Sequence, residues 1–229
     1  MNRLTILRKR ERRLQMFADR YEAGRILGEM VSKLPNISDG VVLGLVRGGV
    51  PVAFEVAKAC SMPLDIVMVR KLGVPWQPEL AMGAIASGGA IVLNEDLLRS
   101  CRISGAQLEE VTRREREELD RLEKLYRHGQ PPVRIEGRPV ILVDDGLATG
   151  ASMRVAIPAI KADARAVIVA VPVGARSTCE DLKTMADEVV CALTSEPFQA
   201  VSMFYREFQA TSDGEVRELL RQRSENHSL

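Results

Sequence analysis

Apolar positions along the chain follow two alternating rhythms. Phe17, Tyr21, Gly24, Leu27, Val31 and Leu34 recur at steps of three and four, which predicts an amphipathic helix. Val41 to Val46 is a short apolar run and predicts a buried strand. Arg47-Gly48-Gly49 reads as a tight loop, and Pro51 suits the first turn of a helix ending near Cys60. Leu64 to Val69 is a second predicted strand. Val140, Ile141, Leu142 and Val143 form a strand buried on both faces, followed by a helix to about Ala162. Ala166 to Val171 is the next strand, 178–186 a helix, and Glu188 to Leu193 the last core strand. Strands alternating with helices imply right-handed crossovers and a mostly parallel sheet. The expectation is an α/β fold in three layers, α/β/α, with five strands and a short edge strand.

Other segments break the rhythm. Residues 70–83 hold two Pro, two Gly and Trp76, and read as a long loop. Ala84-Ile85-Ala86 and Ile91-Val92-Leu93, with Gly88-Gly89 between, predict a short hairpin at a sheet edge. Ser104 with Gln107 resembles a capping box for a helix running to about Arg127 and closing at Gly129. That helix is dense in Glu and Arg, and its apolar positions (Leu108, Val111, Leu119, Leu122, Leu125) are sparse. It reads as a solvated helix laced with ion pairs, or alternatively as a dimer or lid element. Ser212 and Glu215 form a second capping box, opening a terminal helix through Leu219 and Leu220. The mostly basic stretch Arg8 to Arg13 reads as a solvated helix extension or a frayed terminus. No repeat or linker divides residues 1–229, so a single domain is expected, with a helical insertion at about 104–128.

Composition narrows the function classes. Apolar residues make up 46% of the 229 and aromatic ones 4%, as an aliphatic α/β core requires. The net charge of +1 supplies no global field for nucleic acid, and no such partner is expected. No apolar run approaches ~18 residues, so no membrane span is expected. Met1 to Leu7 is too short and too soon interrupted by charge for a secretory signal. Cys60, Cys101, Cys179 and Cys191 are scattered without a Cys-x-x-Cys, which argues for a reducing cytoplasm and against a zinc cage. His128 and His227 lie in hydrophilic stretches, poor material for a histidine-based triad.

Residues 140–152 carry the candidate chemistry. Asp144 and Asp145 stand at the carboxyl end of the apolar strand, and Ala148-Thr149-Gly150-Ala151-Ser152 follows as a small-residue turn into a helix. Small side chains let an anion approach the backbone, and a helix start points unpaired N–H groups at it. One loop thus offers acceptors for sugar hydroxyls beside donors for a phosphate.

This stretch resembles the ribose-phosphate signature of type I phosphoribosyltransferases: apolar strand, acidic pair, Thr-Gly-x-Ser loop. It departs at Gly146, where the signature usually carries an aliphatic residue. Arg47-Gly48-Gly49-Val50-Pro51, Arg70-Lys71-Leu72-Gly73 and Pro78-Glu79-Leu80-Ala81 extend the likeness, from about Phe17 to about Glu218, to a bacterial branch of unassigned substrate.

The resemblance implies transfer of a 5-phosphoribosyl group from phosphoribosyl pyrophosphate to an unidentified acceptor, a nucleobase among the candidates. Thr149, Gly150 and Ser152, with Leu147, Ala148 and Ala151 in the same loop, would hold the 5-phosphate. Asp144 and Asp145 would sit near the ribose hydroxyls and are also the candidate protein contacts of Mg²⁺, the implied cofactor. Arg47, Gly48 and Gly49 would form the pyrophosphate loop, which in this superfamily often contains a non-proline cis peptide. Strands 41–46 and 140–143 would be neighbours where the strand order reverses.

Arg70 and Lys71 would serve the leaving group, with Leu72 to Met82 as a closing loop, and Glu79 as a contact to Mg²⁺ or pyrophosphate, or else a surface acid. A variable hood would recognise the acceptor, here from 197–210 (Pro197, Phe198, Phe204, Tyr205) or from the N-terminal helix. Phe198 and Tyr205 are the candidate acceptor contacts, or else a plug under the last helix. A homodimer is the expected assembly.

The alternative class is a module that senses nucleotides or phosphoribosyl pyrophosphate on the same fold. A phosphoacceptor receiver would place its acidic pair near the first strand. A P-loop kinase would need Gly-x-x-x-x-Gly-Lys-Ser/Thr, which does not occur.

Overall fold

A computed structural model describes residues 16–225; Met1–Leu7, Arg8–Arg13 and His227 lie outside the described residues. The chain runs α1 (Arg20–Val31), β1 (Val41–Leu45), α2 (Gly49–Cys60), β2 (Leu64–Val67), β3 (Val69–Val74), β4 (Gln77–Ala86) and β5 (Ile91–Leu93). It continues with α3 (Glu95–Ser100), α4 (Gly105–Tyr126), β6 (Pro139–Val143), α5 (Ala151–Lys161), β7 (Ala166–Ala175), α6 (Arg176–Leu182), β8 (Glu188–Ser195) and α7 (Asp213–Glu225).

Five strands form one sheet in the order β2-β1-β6-β7-β8, and every pairing in it is parallel. The strand pleat sends successive side chains to opposite faces. Val42, Ile141, Val143, Ile168 and Val190 meet Leu27, Val56 and Leu219 of α1, α2 and α7. Val41, Leu43, Val140, Leu142, Val169 and Val189 meet Met153, Ile157, Cys179 and Leu182 of α5 and α6. Both faces are covered, so the strands read as continuous apolar runs, and the expected three layers are present.

The edge of this architecture differs from expectation. Residues 70–83 are not a loop: β3, β4 and β5 build a separate three-stranded antiparallel sheet. Val69 pairs with Ala86, Leu72 with Gly83, and Val74 with Gln77 across the turn, with register shifts around Gly73. Pro78 lies in the residues left over by those shifts, where no ladder N–H is needed. The predicted hairpin is the outer half of this sheet, with Ile85 opposite Ile91. The supposed edge strand therefore belongs to a second sheet.

α4 begins on the predicted capping box, with Ser104 and Gln107 bonded reciprocally. Its exposed face carries Arg113 between Glu110 and Glu117 and Arg121 beside Glu118. Its buried face docks Val111, Leu119 and Tyr126 in the same core as Leu72, Val74 and Met82 of the second sheet. Beyond α4, Arg127 places Nε 2.8 Å from Asp65 on β2, a pair almost shut off from water.

Candidate functional site

The order β2-β1-β6-β7-β8 reverses between β1 and β6, which are hydrogen-bonded neighbours from Val41↔Val140 to Gly44↔Val143. Loops leaving the carboxyl ends of these two strands must face each other, and such a crevice is where open α/β sheets bind ligands.

The first loop is Val46-Arg47-Gly48, leading into α2, and its Val46–Arg47 peptide is cis. It lies hard against the second. A β-carbon on Gly49 would stand 2.7 Å from the Val143 carbonyl and 2.9 Å from Asp144 Cα; one on Gly48 would overlap Asp145 Oδ2. Only glycine fits at either place. Arg47 reaches outward, with Nη1 3.2 Å from Asp213 Oδ1 at the start of α7. Tyr126, at the end of α4, donates to that same oxygen at 2.7 Å, and burial together with Asp213 pushes its phenol up to about 12.

The second loop separates the acidic pair. Asp144 lines a cavity of about 160 Å³ together with Leu147, Thr149, Gly150, Ser152, Met153 and Val201. Burial, and then the neighbouring Asp145 charge, hold its carboxyl well above the usual carboxylate range. Asp145 turns the other way: Arg20 on α1 places Nε and Nη2 each 2.8 Å from its Oδ2. Burial pushes Asp145 up and the Arg20 charge opposes it. The two acids, expected side by side at a sugar, occupy different surroundings, and only Asp144 faces the cavity.

The remainder of this loop is pinned to the sheet interior. Leu147 forms a parallel bridge with Gly174; its N–H donates to the Val173 carbonyl and its own carbonyl accepts from the Ala175 N–H, both at 2.8 Å. Thr178 on α6 donates its hydroxyl to the Ala148 carbonyl at 2.7 Å. Gly150 then takes φ +71° and ψ +14° at the N-cap of α5, a left-handed geometry that suits glycine, and Thr149 Oγ1 accepts from the Ala151 N–H at 3.4 Å. The first N–H groups of α5 have no intrahelical acceptor, and Ala151, Ser152 and Met153, which carry them, line the cavity.

Above the loop lies the segment following β8. Phe198 and Phe204 stack with ring centroids 5.3 Å apart. Tyr205 is 3% exposed, and its hydroxyl donates to the Asp145 carbonyl at 2.6 Å. Its ring packs between Phe17 and Phe208, so it is a strut and has no free face on which an acceptor could stack. Phe198, half-buried, keeps the more open position.

Arg70 and Lys71 are not part of either loop; both lie on β3. Arg70 donates twice to Glu115 on α4, at 2.8 and 2.6 Å. Lys71 Nζ lies 3.1 Å from Glu79 Oε2 across the hairpin. Trp76, at the hairpin turn, is 60% exposed. Sequence reasoning passes over Arg20, Tyr126, Thr178 and Asp213. Each acts through a partner far away in the chain, on another element, and no local motif announces such pairs.

Comparison with known proteins identifies the family. The family model described as a phosphoribosyl transferase domain matches residues 20–204. Two Mycobacterium tuberculosis proteins, provisionally named phosphoribosyl transferases, are each 46% identical over 204 residues, 89% of this chain. The chain spans about half the length of these relatives, the match covering 46% of each. The crystal structure of TT1426 from Thermus thermophilus superposes with a TM-score of 0.78 at 41% identity, covering 91% of this chain and 99% of that one. On a fold with its crevice at the β1–β6 reversal and a matched span reaching from Arg20 to Phe204, the chain belongs to the phosphoribosyl transferase domain family.

Proposed function

We propose that the cavity beside Asp144 binds the ribose 5-phosphate part of phosphoribosyl pyrophosphate, and that the protein transfers the phosphoribosyl group to an acceptor. One observation carries this reading: Asp144 and the first turn of α5 line the same small cavity. The donors of 149–152 suit a phosphate, and Asp144 suits a sugar hydroxyl. The Gly48-Gly49 backbone would take the pyrophosphate, with Arg47 turning to it from Asp213.

The reaction breaks the bond between the anomeric carbon and pyrophosphate oxygen, and the electron pair leaves with pyrophosphate. An acceptor nucleophile forms the new bond and loses its proton. The carbon passes through a state with oxocarbenium character, and the protein's part is to hold both partners, neutralise the leaving group and exclude water. Arg70 and Lys71 would help to neutralise the leaving group once the β3–β4 hairpin bends over the crevice.

Asp144 fits Mg²⁺, a cation that uses one or two carboxylates and takes its other ligands from phosphate and water. Among the described residues no group of three or more His, Cys, Asp or Glu could hold a metal unaided. Held by Asp144, the cation would supply positive charge against the leaving group. The acceptor would enter under Phe198.

A second reading, a ligand sensor on the same fold, draws support from the basic residues. Arg47, Arg70 and Lys71 are each engaged by a carboxylate of the chain itself. The deciding experiment is a panel of purines, pyrimidines and small amines with phosphoribosyl pyrophosphate and Mg²⁺, read by pyrophosphate release. Release with one acceptor class establishes the transferase; sugar-phosphate binding without release for any acceptor favours the sensor.

A further inference from the structure

A heavily engaged buried cation lies outside both loops. Arg20 is 9% exposed. Its Nε and Nη2 hold Asp145 Oδ2, its Nη1 donates to the Gln209 carbonyl at 2.6 Å, and its guanidinium lies 3.9 Å over the Phe208 ring. All three of its nitrogens are thus committed within the chain, so Arg20 acts on a ligand through Asp145.

Asp145, in turn, touches both anion-binding loops. Its main chain precedes the phosphate loop, and its carbonyl is held by Tyr205. Its side chain fills the space that a side chain on Gly48 would need, and the Arg20 Nε lies 3.5 Å from that same point. One residue, its carboxylate clamped by one guanidinium, thus ties the loop at 47–49 to the strand end from which the loop at 148–152 departs. A fork of this kind fixes orientation as well as charge.

We infer that Arg20 is a positioning residue which, through Asp145, sets the spacing between the two anion-binding loops. It thereby selects a sugar phosphorylated at both ends over one phosphorylated at a single end. This rests on the ribose-phosphate reading of the cavity. A ligand with one phosphate uses the 148–152 loop alone and is indifferent to the gap. A ligand that also carries pyrophosphate must satisfy both loops at once, and a displacement of a fraction of an ångström between them is felt.

The test is calorimetric titration of phosphoribosyl pyrophosphate and of ribose 5-phosphate, with Mg²⁺ present, into the full chain and two variants. Arg20→Met removes the clamp. Arg20→Lys keeps a positive charge beside Asp145 but loses the two-pronged grip, so it serves if Arg20→Met fails to fold. In each folded variant, phosphoribosyl pyrophosphate should weaken by on the order of tenfold while ribose 5-phosphate changes less than about twofold. A merely structural role would weaken both ligands in parallel or neither, and either result overturns the inference. If the unaltered protein binds neither ligand, the reading of the cavity falls and this inference with it. If it binds both and the ratio of affinities is unmoved in the variants, only the inference falls.

Discussion

Val201 stands where a side chain on Gly146 would be: its Cγ1 lies 2.5 Å from the position a β-carbon would take, with Val173 Cγ1 at 3.1 Å. The aliphatic bulk that the ribose-phosphate signature usually carries in the loop comes here from a residue 55 positions later in the chain. Gly146→Val should therefore overpack the site and cost about 1–3 kcal/mol in urea unfolding. Adding Val201→Ala should recover a large part of that loss. Additive effects in the double-mutant cycle would mean that the two residues do not share the space.

Asp144 should weaken the fold it serves. Its folded-state pKa is raised by burial and by Asp145. The folded state therefore holds a proton over a pH interval in which the unfolded chain has lost it. Stability falls as pH rises through that interval, from the ordinary carboxylate pKa to the raised one. Without Mg²⁺, Asp144→Asn should melt higher than the parent at neutral pH, and the gap should close as pH falls toward the ordinary carboxylate range, about 4. The same change should weaken ribose 5-phosphate binding by about tenfold or more, the scale of one charged hydrogen bond. Unchanged titration heats would remove Asp144 from the sugar.

The buried and exposed ion pairs of the α4 region should behave differently. Arg127 and Asp65 have side chains 9% and 6% exposed, and Asp65 also accepts from the Val133 N–H. Arg127→Met should cost about 3–5 kcal/mol, because it strands a buried carboxylate. Arg113→Ala, which breaks exposed pairs with Glu110 and Glu117, should cost about 0.5 kcal/mol or less. Denaturant unfolding of the two variants side by side measures the contrast.

Thr178 supports the loop at 148–152 from behind. Thr178→Val keeps the shape and removes the donation to the Ala148 carbonyl. Stability should drop by about 1 kcal/mol, and inorganic phosphate or ribose 5-phosphate should bind several-fold more weakly. Retained affinity at lowered stability would show that the loop holds its shape without this bond.

Lys71→Ala should slow turnover more than it weakens ground-state binding of phosphoribosyl pyrophosphate, as a group acting on the leaving pyrophosphate requires. Glu79→Gln should leave stability within about 0.5 kcal/mol, since the Lys71–Glu79 pair is solvated. Equal losses in turnover and binding for Lys71→Ala would assign it to binding alone.

Much of this architecture can be read from the chain because its core strands are buried on both faces. Runs such as Val140–Val143 have no competing periodicity, and the capping box at Ser104 marks its helix at the first turn. The second sheet is hidden by its own chemistry. Pro75, Pro78, Gly73 and Gly83 are punctuation in a sequence, yet Pro78 is accommodated where the β3–β4 register shifts. The acidic pair and the small-residue turn are visible as a contiguous motif. The divergence of Asp144 from Asp145 is not, because it is imposed by Arg20, 125 positions away. Phe198 and Tyr205 look equivalent as aromatics, and only packing separates an open ring from a buried strut.

The bridge between Leu147 and Gly174 makes the start of the phosphate loop a continuation of the sheet's hydrogen-bonded ladder. Ordering a free backbone costs roughly 1–2 kcal/mol of entropy per residue. Here that cost falls on folding, before any ligand arrives. On the proposed reading, even a small anion with few atoms to offer would meet a loop already ordered, and little of its interaction energy would be spent on arranging it.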